Sequence, residues 1–121
     1  MAFPLPNQIV STVVMGNKTI VTFDHVGPLS YSQTTEDVIN AADIGYGGFE
    51  FVDSGPDTTG QFQGFPKLNL GGYGNAVPSI KLAWWALVTA TLGGQSQVLG
   101  TEAIAASNLS TFSVRIRAVC V

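Results

Sequence analysis

The residues able to do chemistry are few. There is one imidazole, His25, and one thiol, Cys120, so a Ser-His-Asp or Cys-His arrangement must draw on that single ring. Asp24 is its neighbour, and on a strand the two side chains point to opposite faces. The spacing names no geometric partner for His25, which reads as a strand-end histidine. A lone His and a lone Cys far apart in the chain form no zinc pattern. Asp53 and Asp57 flank Gly55-Pro56 and could offer loop oxygens to calcium, but acidic turn residues are the simpler reading. Glu36 and Asp37 are adjacent, so their carboxylates diverge and give no glycosidase pair. Gly45-Tyr46-Gly47-Gly48 and Gly71-Gly72-Tyr73-Gly74 lack the strand, helix and Lys-Ser/Thr of a phosphate cradle and read as turns. Trp84-Trp85 on a strand would set one indole inward and one outward, and the outward one, with Tyr46 and Tyr73, could stack on a sugar. No catalytic residue, metal ligand or cofactor is expected, and the chain reads as a non-enzyme.

The composition agrees with a part that is bound. Charged residues make up 11% of the 121 residues and hydrophobic ones 45%, against a charged share of roughly 25% in an average soluble domain. A surface so thinly charged is expected to be buried in part against copies or partners, or else to be covered by uncharged polar side chains. Lys18, Lys67, Lys81, Arg115 and Arg117 are the only basic residues and the net charge is −3, which gives nucleic acid little to release counterions against. Met1 to Pro6 has neither the basic start nor the apolar core of an export signal. The longest apolar stretch, Ile80 to Leu92, is broken by Lys81, Thr89 and Thr91 and is short of the ~20 residues that span a bilayer. Synthesis in a cytoplasm without export, and no membrane partner, are the expectations.

The elements that must position these residues read as strands. Residues 1–7, with two prolines, form an extended N-terminal arm, and 8–121 form a single β domain. Gln8 to Val14 and Lys18 to His25 flank Gly16-Asn17, a hairpin signal, because Gly and Asn tolerate the positive φ of a tight primed turn. Gly27-Pro28 ends the second strand and Ser30 to Glu36 is loop. Asn40 can cap one helical turn, Asp43 would face its free N–H groups, and Gly45 stops it. Phe49 to Val52 is a short strand, Gly55 to Gly60 a loop tip, and Gln61 to Phe65 a further strand. Leu70 to Ala76 is a glycine-rich connection. Ile80 to Leu92 is bounded as a helix would be, but its β-branched and aromatic content favours a strand. More β-type residues surround Gly100. From Phe112 to Cys120 the alternation is strict, giving a half-buried strand whose apolar end must be covered by another element or another chain. The fold class is all-β, a β-sandwich or barrel with one short helical turn.

Two sets of blocks also carry a family likeness. Val14 to Lys18 with Ile20 to Phe23, then Val38 to Gly45 and Phe49 to Val52, form the first. Gly100 to Ala103, Ala106 to Ser110 and Val114 to Val119 form the second. Together they resemble small tailed-bacteriophage proteins encoded near the major capsid gene, the capsid decoration or cement proteins; the segment Gln61 to Gly94 departs from that pattern. The resemblance implies a structural virion protein of the capsid surface that binds the assembled, expanded shell from outside and bridges its subunits. Its partners would be the major capsid protein and further copies of itself, commonly as a homotrimer. The expected contact residues are the arm, Phe3, Pro4, Leu5 and Pro6, the aromatics Trp84 and Trp85, and the cations Arg115 and Arg117. Rival readings are a carbohydrate-binding tail or spike module, a small hydrolase using His25, and a coat protein that assembles a shell by itself.

Overall fold

Turn chemistry and two-residue alternation set the strands. β1 (Asn7–Met15) and β2 (Lys18–Val26) form the expected hairpin, paired antiparallel from Met15 opposite Lys18 to Asn7 opposite His25. Gly16 alone of the turn pair takes a positive φ, +64°, the pattern of a II′ turn. The computed structural model describes residues 7–68, 76–88, 90–92, 95–97 and 99–121, with backbone only for 90–92 and 95–97. Phe3, Pro4, Leu5, Pro6 and Tyr73 therefore lie outside the described residues. Asn7, assigned to the arm from the sequence, is instead a buried residue of β1.

The remaining strands are β3 (Asp37–Asn40), β4 (Phe49–Asp57), β5 (Phe62–Leu68), β6 (Ser79–Ala86), β7 (Ala90–Leu92), β8 (Gln95–Gln97) and β9 (Ser113–Cys120). The helical turn is a single 3-10 turn, Ala41–Ile44, stopped by Gly45 at φ 89°. Asn40 does not cap it; its Nδ2 donates to Asp43 Oδ2 at 3.4 Å, so the two polar groups serve each other. Gly55-Pro56-Asp57 ends β4 and is not the loop tip expected. Pro56 sits in the stretch between Ser54 and Asp57 where the β4–β9 register is irregular, the kind of place where a sheet tolerates proline, and it lies opposite Gln63 of β5. Of the segment Ile80 to Leu92, residues 80–86 and 90–92 are strand, not helix, and Leu87 and Val88 form a bend.

Seven strands form one antiparallel sheet, ordered β1-β2-β9-β4-β5-β6-β3 and curled into a half-barrel; β7 and β8 pair separately. β9 is an interior strand, with β2 on one side and β4 on the other, and its alternation is clean: Val114, Ile116, Ala118 and Cys120 are fully buried while Arg115 and Arg117 face out. The chain's own Gly47 and Gly48 cover its end, donating to the Val121 carbonyl at 2.8 and 3.3 Å. Two loops join the core. Ala106 donates to Tyr31 O, Tyr31 to Ser107 O and Leu109 to Pro28 O, which seats Tyr31, Ala103 and Leu109 among the buried residues.

Candidate functional site

The two terminal strands of the sheet meet through a buried chain of polar groups. His25 Nδ1 lies 2.6 Å from Asn7 Oδ1, and His25 Nε2 lies 2.6 Å from Asp37 Oδ2. The same Asp37 oxygen accepts from Trp84 Nε1 at 3.0 Å. Asn7 is on β1, His25 on β2, Asp37 on β3 and Trp84 on β6, so this chain bridges the gap that the sheet order leaves between its first and last strands. Two ring N–H groups satisfy the arrangement; with the Asn7 amide turned over, Nδ2 donates to the ring and one N–H suffices. Beside it, Tyr31 OH donates to Glu102 Oε2 at 2.6 Å and accepts from Trp84 N at 3.2 Å. Burial above all, and then the Glu102 hydrogen bond, push the Tyr31 phenol far above its ordinary pKa and keep it a neutral donor.

This geometry holds strands together and leaves little for a substrate. His25 is 2% exposed, and both ring nitrogens are engaged by Asn7 and Asp37. Cys120 lies opposite Thr19, six positions along β9 from the Val114 that faces His25, about 20 Å at ~3.3 Å per residue. Burial pushes its thiol up to about 11, away from reactive thiolate. Of the acidic residues near Gly55, Asp57 has both carboxylate oxygens engaged inside its own turn. The Asp57 carboxylate accepts from Thr59 N, Thr59 Oγ1 and Gln61 N, and Asp53 Oδ1 accepts from Ser54 N. Among the described residues no group of three His, Cys, Asp or Glu side chains could hold a metal, and no helix is long and apolar enough to cross a membrane.

The outer face of the sheet is where contact chemistry lies. The registers place Val13, Ile20, Val119 and Phe51 side by side across β1, β2, β9 and β4. Val13 and Phe51 are each 55% exposed, and Ile20 and Val119 are half-buried. The next row along, Thr22, Arg117 and Asp53, lines with Ser54, Gly55 and Arg115 an open groove of about 250 Å³. Arg115 makes two bonds to Asp24, at 2.9 and 3.1 Å, which raise the guanidinium pKa further. On β5 and β6, Phe65 and Trp85 meet edge to face at 6.1 Å and line with Lys67 a shallow apolar hollow of about 370 Å³.

Compared with protein-family models, curated proteins and solved structures, the chain matches none. Of the expected contact residues, Trp85, Arg115 and Arg117 are on the outer face and accessible. Trp84 is a correction: it is fully buried, packs edge to face against Phe62 and gives its indole N–H to Asp37, so it presents no surface. Tyr46 packs against the core. Sequence reasoning passed over Val13, Val14, Phe51 and Phe65 because β-branched and aromatic residues in a strand read as core. What exposes them is their position on the outer face or beyond the barrel rim, which no local pattern carries. The Asn7–His25–Asp37 contact was equally hidden, since it joins residues 18 and 12 positions apart across the curl.

Proposed function

We propose that this is a non-enzymatic structural protein of the virion that binds the outside of an assembled bacteriophage capsid and stabilises it by bridging capsid subunits. The observation that carries the reading is the apolar row Val13–Ile20–Val119–Phe51 on the outer face, on a chain with 5 basic and 8 acidic residues in 121. Exposed apolar strips of this kind mark surfaces that become buried in assemblies. The resemblance to decoration proteins supplies the partner, the major capsid protein, and the place, the capsid surface of a particle made in the host cytoplasm. Such a protein acts by linkage: binding the expanded shell alone, it adds about 2.7 kcal/mol per site at a free concentration 100 times Kd. Self-association belongs to the same reading.

The test is co-sedimentation of purified protein with expanded empty capsids, alongside the variant Phe51→Asp. Pelleting by the wild type, loss of it in the variant, and a higher rupture temperature for decorated shells are expected. Wild-type protein that stays in the supernatant refutes the reading. The exposed Phe65–Trp85 pair favours a second reading, a carbohydrate-binding module. Sugar sites combine aromatic faces with directing polar groups, and here the adjoining Lys67 ammonium is already bonded to Glu36 at 2.9 and 3.1 Å. Retention on a glycan array, lost in Trp85→Ala, would move this reading to the front.

A further inference from the structure

The two terminal strands of the sheet are unlike. β3 has four residues, one of them Asp37, and runs directly into the 3-10 turn. β1 has nine, and from Asn7 to Asn17 there is neither a charged side chain nor a proline. Edge strands that must stay unpaired are kept short, charged or bulged. β1 has one irregularity, between Ile9 and Ser11, and is regular from Ser11 to Met15. Val14, at 72%, is among the most exposed apolar residues of the described structure.

The free backbone groups of this edge follow from the register. A two-residue turn makes Met15 and Lys18 the closing hydrogen-bonded pair, and antiparallel ladders alternate, so Val13 with Ile20 and Ser11 with Thr22 also bond inward. The N–H and C=O of Thr12 and Val14 then point away from the sheet, where no strand of the described residues follows in the sheet order. We propose that this edge pairs antiparallel with the same edge of a second copy, across a two-fold axis at Val13. Thr12 of each copy then bonds Val14 of the other. Val13 meets its own symmetry mate in a non-hydrogen-bonded pair, the closer kind, and both side chains stay on the outer face. No like charges come together, because the segment has none. The apolar row Val13–Ile20–Val119–Phe51 becomes continuous from one copy to the next.

The inference rests on the self-association in the function proposed above, not on the capsid, and it replaces the three-fold assembly that the family likeness implies with a two-fold one. Light scattering of the full chain should give twice the 12.7 kDa chain mass. Val14→Pro removes an outward N–H and leaves the β1–β2 ladder intact; Val13→Lys sets two ammonium groups face to face. Each should weaken the dimer at least tenfold with the far-ultraviolet circular dichroism unchanged. Val13→Cys should form an intermolecular disulfide under mild oxidation, because α-carbons of a non-hydrogen-bonded pair lie about 4.5 Å apart, within the range of about 4.4–6.8 Å that a disulfide spans, and Cys120 is buried. A monomer, a trimer, or a dimer that neither Val13→Lys nor Val14→Pro disturbs overturns the pairing. The capsid reading is scored separately: a dimer that does not pellet with shells upholds the edge contact and refutes decoration, and a monomer that pellets does the reverse.

Discussion

Removing either partner of the His25–Asp37 contact should destabilise the protein severely, and removing both should cost much less than the sum. Asp37→Ala takes the acceptor from two buried donors, His25 Nε2 and Trp84 Nε1. His25→Ala leaves the Asp37 carboxylate, nearly out of solvent, with Trp84 as its remaining partner among the described residues. Breaking a buried pair from one side costs about 3–5 kcal/mol, and a chain of this length has about 6–18 kcal/mol in all. Each single variant therefore loses a large share of its stability. In the double variant no stranded charge remains, and the residual cost is an unpaired Trp84 N–H and an unpaired Asn7 amide, about 1–3 kcal/mol each, together with the volume vacated.

The singles and the double should thus show a coupling of about 2 kcal/mol, inside the usual 0.5–3 kcal/mol for groups in contact. Urea unfolding followed by tryptophan fluorescence measures all three. Hydrogen exchange adds a spatial prediction: protection should fall first in β3 and at the Asn7 end of β1, the strands held by a neighbour on one side only. Single variants within 1 kcal/mol of wild type, or losses additive to within ~0.5 kcal/mol, would refute the view that this contact closes the curl.

Three further outcomes are expected. A Cβ on Gly27 would overlap the Leu109 carbonyl oxygen and lie 2.7 Å from its Cβ, so Gly27→Ala should cost about 1–3 kcal/mol through forced movement of backbone, read as a lower Tm. Trp84→Ala should cost about 3–5 kcal/mol, whereas Trp85→Ala, at a site 37% exposed, should cost about 1–2 kcal/mol, much of it the edge-to-face contact with Phe65; equal losses would overturn the assignment of the two faces. Burial pushes the Cys120 thiol up from 9.0 to about 11, so the folded state keeps a proton that the unfolded chain gives up. Its contribution is intact below pH 9 and is lost as pH rises to 11, by about 3 kcal/mol at ~1.4 kcal/mol per pH unit; Cys120→Ala should lack that part of the alkaline slope in unfolding titrations.

The parts of the fold that were legible in sequence are those set by local chemistry. The Gly16-Asn17 turn, the Gly45 stop and the alternation from Phe112 to Cys120 each follow from what one residue permits its backbone or from one strand having two different faces. β3 was not legible, because four residues are too few to show a period and its partner β6 lies about forty positions away. The extension of β4 through Pro56 was not legible either, since proline argues against a strand until the irregular register beside β9 is known. For the site the division is the same. The opposite faces of Asp24 and His25 follow from period two, and they are realised as an exposed pair with Arg115 and a buried pair with Asp37. Which carboxylate answers the histidine depends on how far the sheet curls, and that is a property of all seven strands together.

That curl also bears on why the outside is so apolar. The chain spends a histidine, a carboxylate, an amide and an indole N–H on sealing its own interior, and leaves Val13, Val14 and Phe51 at the surface. In a protein that stays alone this is the wrong way round. Burying what these three side chains still expose is worth about 1–2 kcal/mol apiece, since full burial of such a residue gives about 1.5–3 kcal/mol. Association costs about 4 kcal/mol or more before any gain appears. A single row from one copy therefore binds weakly. A two-fold pair doubles the row and adds ladder hydrogen bonds, and a shell that presents repeated sites turns modest contacts into avidity. A surface of this strength suits an array better than a single partner, which is why the proposed function is tested first on a lattice of identical subunits.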